Sequence, residues 1–328
     1  MNCLKVARTI FLLFLVNLTF TNGFGQSKYP SVELMDRTGD FSGIVYDFCF
    51  SKSGRTLVYP ESNVISFYDL QSKALIGRLN NGHSKPVLAI ALSVDSSLLV
   101  SGGLDSTIVM WNVQSGKVSK KLDFHHGVIT TLNLNSGGTL LASGSSDKTV
   151  VVYDLAGEKI VFKITDLPSD VTVVRFSPDG QLLAVGSQDK TIRLYNSKTG
   201  QLIVNLEGHK NCVRDICFNN DGTRLFSCGD DSKLLKWDIR NLNLIKKEEI
   251  GSYGSDWLLS VDVRDDAWVV AGLDSKINVV TNFETYRGKV GVAINKIKFI
   301  PNSGSFLKFA VATRGKGLFL VDSMDFGY

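Results

Sequence analysis

Five aspartates recur at one position of a repeating pattern: Asp105, Asp147, Asp189, Asp231 and Asp274. Three of them follow a histidine, His83, His125 or His209. Carboxylates and imidazoles are the raw material of a metal site. Successive aspartates, however, lie 42 or 43 residues apart, one to a unit, whereas a metal needs its ligands in one place. The same groups recurring in separate units suit a different task, the satisfaction of buried polar atoms unit by unit. His125-His126 is an adjacent pair without further clustered ligands, so His126 reads as a loop residue. No P-loop, G-x-G-x-x-G, G-x-S-x-G or H-E-x-x-H pattern occurs. The expectation is a protein without catalytic residues, metal or cofactor.

Cysteine chemistry is limited as well. Beyond the N-terminal segment the cysteines are Cys49, Cys212, Cys217 and Cys228. Cys212 and Cys217 share one predicted strand, about 16 Å apart, and cannot bridge. Cys212 and Cys228, at the same end of neighbouring strands, are the candidate pair for a disulfide. The role expected of all four is that of small buried hydrophobes.

The elements that position these residues repeat. Ile108-Val109-Met110-Trp111-Asn112, Val150-Val151-Val152-Tyr153-Asp154, Ile192-Arg193-Leu194-Tyr195-Asn196 and Leu234-Leu235-Lys236-Trp237-Asp238 place their aromatics 42 residues apart. Phe67-Tyr68-Asp69, Val279-Val280-Thr281 and Leu320-Val321-Asp322 extend the series to seven units. Each unit has the same order: an alternating apolar strand such as 171–176, a turn such as Ser177-Pro178-Asp179-Gly180, a second strand, an Asp-bearing turn, the strand with the aromatic, and a fourth strand such as 201–206. Period-two alternation, β-branched residues and Gly/Asp/Ser punctuation predict antiparallel strands. Four short strands, seven times over, predict an all-β propeller of seven blades.

These features resemble the WD40 family along the whole chain beyond the N-terminal segment: Gly82-His83 and Gly208-His209 open units and Trp237-Asp238 closes one. The resemblance implies a hydrogen-bonded tetrad in three blades. Its members are His83, Ser101, Asp105 and Trp111; His125, Ser143, Asp147 and Tyr153; and His209, Ser227, Asp231 and Trp237. Blades four and six keep the Asp alone (Asp189, Asp274), and blades one and seven, with Ser62 and Gly315 near the position, lack it and are expected to be softer. The ring must also close. Only six residues follow Asp322, too few for a fourth strand, so residues 31–37 are expected to complete blade seven and remove its exposed edge.

The composition fits a globular protein: of 328 residues, 44% are hydrophobic and 21% charged. A net charge of +4 from 36 basic and 32 acidic residues gives no footprint for nucleic acid. The first 25 residues form a separate unit. Lys5 and Arg8 precede the apolar run Ile10–Val16, and Gly23 and Gly25 are the small residues that favour cleavage before Gln26. This is the pattern of a secretory signal peptide, too short to span a membrane. Cys3 lies before the run, so no lipid anchor is expected. The one glycosylation sequon, Asn17-Leu18-Thr19, falls inside this segment, and the Asn22–Gln26 stretch resembles signal peptides of Bacteroidota. Two parts are expected: 1–25, the signal peptide, and 26–328, a single propeller exported to the periplasm or outer envelope of a bacterium, without membrane insertion.

In the WD40 family, partners bind the face that carries the connections into the inner strands. The resemblance assigns three positions per blade to it: Ile44, Tyr46 and Glu61; Pro86, Leu88 and Leu104; Val128, Thr130 and Ser146; Asp170, Thr172 and Gln188; Cys212, Arg214 and Asp230; Ser255, Trp257 and Leu273; Ala293, Asn295 and Arg314. Tyr46, Arg214 and Trp257 are types enriched at binding hot spots, with Leu88, Leu104, Leu273, Asp230 and Arg314 around them. Asp230 is expected to face solvent. The implied function is a non-enzymatic scaffold for protein partners in a multi-protein complex, as in an accessory subunit of a secretion or gliding complex. One alternative is a cytosolic eukaryotic adaptor, since Trp237-Asp238-Ile239-Arg240 resembles the WDxR box of ubiquitin-ligase substrate receptors. Another is a propeller enzyme of lactonase or quinoprotein type, whose acidic cluster Glu61, Asp170 and Asp230 would have to supply from three separate blades.

Overall fold

A computed structural model describes residues 16–17, 31–34, 44–252, 256–265, 267–281, 285–289, 292–302, 308–315 and 317–322. The signal-peptide segment lies outside the described residues except for Val16–Asn17, and residues 35–37 of the closing segment lie outside them too. Among the described residues every regular element is a strand; none is a helix.

The strands form seven antiparallel sheets, the blades of a β-propeller. Blade one contains Cys49–Phe50, Thr56–Glu61, Val64–Asp69 and Ala74–Leu79. Blade two contains Val87–Leu92, Leu98–Gly103, Ile108–Asn112 and Lys117–Leu122. The inner strands of the next blades are Ile129–Leu134, Val171–Phe176, Val213–Phe218, Leu258–Arg264 and Ile294–Phe299. Blade seven is closed by Ser31–Leu34, which pairs with Gly317–Asp322 in the register Val32↔Val321, Glu33↔Leu320 and Leu34↔Phe319. Val16–Asn17 adds a fifth strand outside it.

The core sits at the seams between blades. Each of seven apolar clusters joins residues of two neighbouring blades, such as Val109 and Trp111 with Val58 and Ile65, or Ala310 and Ala312 with Val45 and Phe48. The second strands, buried on both faces, read as near-continuous apolar runs. The outer strands alternate more weakly and face water. Cys212 and Cys228 are buried, Cys49 and Cys217 half-buried, and all four are free thiols. In the ladder Cys228 lies opposite Asp215, not Cys212.

Inner strands carry a bulge at their second residue. Ladder pairs skip from Val87 to Ala89, Val213 to Asp215 and Leu258 to Ser260. The skipped residues, Leu88, Arg214 and Leu259, share one face-forming position. The bulge brings the chain very close to the second strand. A Cβ on Gly229 would lie 2.4 Å from the Cys212 carbonyl oxygen, and one on Gly272 would lie 1.9 Å from that of Trp257. Glycine is required at both.

Candidate functional site

The tetrads are built from four parts of each blade. In blade two, His83 Nδ1 lies 3.0 Å from an Asp105 oxygen, and Nε2 lies 2.7 Å from the Ser101 hydroxyl. A carboxylate only accepts, so Nδ1 carries the proton and Nε2 accepts from Ser101. The Trp111 indole N–H donates to the same hydroxyl oxygen at 2.7 Å, and the Ser84 amide donates to Asp105 at 2.9 Å. Blade five repeats this with His209, Asp231 (3.0 Å), Ser227 (2.8 Å) and Trp237 (2.9 Å). In blade three His125 meets Asp147 (3.1 Å) and Ser143 (2.8 Å), and Thr149 joins the network. Tyr153 has no indole N–H to give to Ser143; its ring lies under Lys120 instead.

Burial holds His83 and His125 below their ordinary value, even though a carboxylate faces each. Burial alone would raise Asp105 and Asp147. Amide donors, the paired histidine and, for Asp147, the Thr149 hydroxyl bring both below the usual carboxylate range. Where the histidine is missing, a local cation replaces it: Arg193 is 2.7 Å from Asp189, and Lys276 is 3.0 Å from Asp274. The five aspartates are committed to turns and tetrads within single blades.

The face with the inner-strand connections gathers part of the expected set. Arg214 binds Asp230 through two parallel bonds, Nε to Oδ1 and a terminal nitrogen to Oδ2, both 2.6 Å. The guanidinium also lies 5.1 Å from the centroid of the Trp257 ring, joining blades five and six. Trp257 is 43% exposed, Tyr46 40%, Leu104 40% and Ile44 41%. Leu88 and Leu273 are half-buried beside them. Arg314 is exposed and donates to Asn295 Oδ1 at 2.8 Å, while the Asn295 amide donates to the Val45 carbonyl at 2.9 Å. Thr130 and Thr172 spend their hydroxyls on the Val171 and Val213 carbonyls of the next blade. Glu61 faces Arg78 at 3.4 Å. Ser255 lies outside the described residues.

Two expectations are corrected. Asp230 does not face solvent: its side chain is 4% exposed, covered by Arg214. Trp257 is not equivalent to Arg214. The Trp257 carbonyl accepts the Leu273 amide as the Cys212 carbonyl accepts that of Asp230, so Trp257 matches Cys212, and Leu259 matches Arg214. The inner strand of blade six starts 45 residues after that of blade five, against 42 between blades two and three, three and four, and four and five. That difference displaces a count carried forward at the repeat period.

The central channel holds a cluster that the repeat pattern does not reveal. Asp215, buried, is shared by Lys296 at 2.6 Å and Arg175 at 3.3 Å. Ser260 donates to it at 2.8 Å and the Val261 amide at 3.2 Å. Burial would raise this carboxyl, but Lys296 and Arg175 hold it below its ordinary range. Lys298 pairs with Asp47 at 3.2 Å. Asp262 accepts the Phe299 amide at 2.7 Å, and burial pushes it up. These side chains stitch blades together: Asp47, Thr131, Asp215 and Ser260 each accept an inner-strand amide of the following blade. Asp47, Thr131 and Asp215 also line the channel mouth, a cavity of about 110 Å³ bordered by Tyr46, Leu88, Arg175, Arg214, Leu259 and Lys296 among others.

Seven antiparallel blades and the recurring His–Ser–Asp–Trp network define a β-propeller of WD40 type. Residues 44–314 match the family described as the IFT122 first beta-propeller, and the chain belongs to that family.

Proposed function

We propose that this protein is a non-enzymatic scaffold that binds protein partners through the face carrying Tyr46, Leu104, Arg214 and Trp257. The observation that carries the reading is the Arg214–Asp230 pair packed under an exposed Trp257, with exposed Tyr46, Ile44 and Leu104 on the same face. An exposed tryptophan packed on a two-bond ion pair is pre-organised to bind, since little rotamer entropy is left to lose. The tetrad histidines and aspartates are already spent on one another, which leaves them no catalytic task. The N-terminal pattern of Lys5, Arg8, Ile10–Val16 and Gly23/Gly25 supports export to a bacterial cell envelope. Cleavage before Gln26 would remove Val16–Asn17 and leave blade seven with four strands like the other six. The site is tested by placing a photo-crosslinking amino acid at Trp257 or Leu104, and separately at Val161 on the outer strand of blade three. Cross-links to a discrete protein from the first two positions are expected; cross-links from Val161 alone would contradict the assignment. N-terminal sequencing of the native protein tests export, with Gln26 as the expected first residue.

A further inference from the structure

The cavity at the channel mouth is lined by three cationic side chains, Arg175, Arg214 and Lys296, and two carboxylates, Asp47 and Asp215. Arg214 is matched by Asp230 and Lys298 by Asp47. Arg175 and Lys296 share a single carboxylate, Asp215. Lys296 is only 8% exposed. Its ammonium has three donors, and among the described residues its hydrogen bond is the one to Asp215. An ammonium with donors to spare, bordering an open cavity, can donate to a further acceptor there. The cavity is continuous with the partner-facing surface: Tyr46 and Leu88 border it on one side, Leu259 and Arg214 on the other.

We infer that the channel mouth is a subsite for an acidic side chain, Asp or Glu, within an extended segment of the partner protein. The carboxylate accepts from Lys296 and Arg175 through charge-assisted hydrogen bonds. Apolar rim residues on both sides of the cavity take the neighbouring residues of the segment, which favours an internal acid over a chain end. This inference rests on the reading of that face as a partner surface.

The test uses three pools of rhodamine-labelled seven-residue peptides, randomised without Asp or Glu except at the centre. One has central Glu and an amidated end, one central Gln and an amidated end, and one central Gln and a free C-terminal carboxylate. Fluorescence anisotropy with the full chain should show the Glu pool binding about tenfold tighter than the Gln pool. Salt should reduce the difference. Lys296→Met should abolish the advantage of the Glu pool over the Gln pool; if that variant does not fold, the wild-type comparison decides alone. Equal binding of the Glu and Gln pools, no binding of any pool, or a free-carboxylate pool matching the Glu pool would each overturn the inference. The two readings fail separately. Equal Glu and Gln binding that Trp257→Ala weakens together overturns the acidic subsite and keeps the face. A Glu advantage with the affinity of both pools unchanged in Trp257→Ala keeps the subsite and removes the face.

Discussion

Arg214 and Asp230 form a two-bond ion pair whose carboxylate is almost wholly covered, while its guanidinium remains partly open beneath Trp257. The asymmetry has a consequence for stability. Removing Arg214 leaves a carboxylate in a covered site without its cation, at a cost of about 2–4 kcal/mol. Asp230→Ala leaves a guanidinium that water can reach, at about 1–2 kcal/mol. Asp231→Ala, one residue on, strands His209 and the Lys210 amide and is expected to cost about 2–4 kcal/mol. Urea titrations of the three variants check the order; an Asp230→Ala loss larger than that of Arg214→Ala would show that the pair is not arranged as described.

Acid should destabilise the protein in two stages. His83 and His125 are held below their ordinary value of 6.5. The unfolded chain therefore takes up protons first as pH falls below that value, and stability drops by at most about 1.4 kcal/mol per pH unit for each histidine. Asp105 and Asp147 are held below 3.8, so their contribution is present above that value and is lost as pH falls through their lower folded-state values. The urea midpoint should decline between pH 7 and pH 5. A midpoint that rises on acidification would mean that the tetrads hold imidazolium instead of neutral imidazole.

Ring closure rests on a short strand. Ser31–Leu34 covers the edge of Gly317–Asp322, so deleting residues 26–38 exposes that edge. The deletion variant should aggregate by light scattering at concentrations where the intact protein stays soluble. A soluble variant of unchanged melting temperature would contradict the closure.

The blades and tetrads were legible because their determinants are local. A strand pair, its turn and its aromatic fall within some 40 residues, and the offsets from His83 to Ser101, Asp105 and Trp111 recur intact in blades three and five. The closing strand was legible from what blade seven lacked. The channel was not, because Asp215 and Lys296 stand 81 residues apart and meet only across the closed ring. Nor can alternation alone say which inner-strand residues face it: the bulge at Leu88, Arg214 and Leu259 resets the alternation. Trp257 was found by type and misplaced by register, since the inner strands of blades five and six start 45 residues apart and those of blades four and five 42.

The central claim is that the Tyr46–Trp257 face binds a protein. It is tested most directly by affinity capture and mass spectrometry from the native organism with three forms of the chain. Tyr46 and Trp257 are both exposed, so Tyr46→Ala/Trp257→Ala should fold normally by circular dichroism. Each truncated anchor should cost about 1 kcal/mol or more of binding. Lys246→Ala/Lys247→Ala alters the outer strand of blade five, away from the face. The account predicts that the wild type and the lysine variant retain the same partner and that the Tyr46/Trp257 variant loses it. Retention of that partner by a folded Tyr46/Trp257 variant would contradict the account.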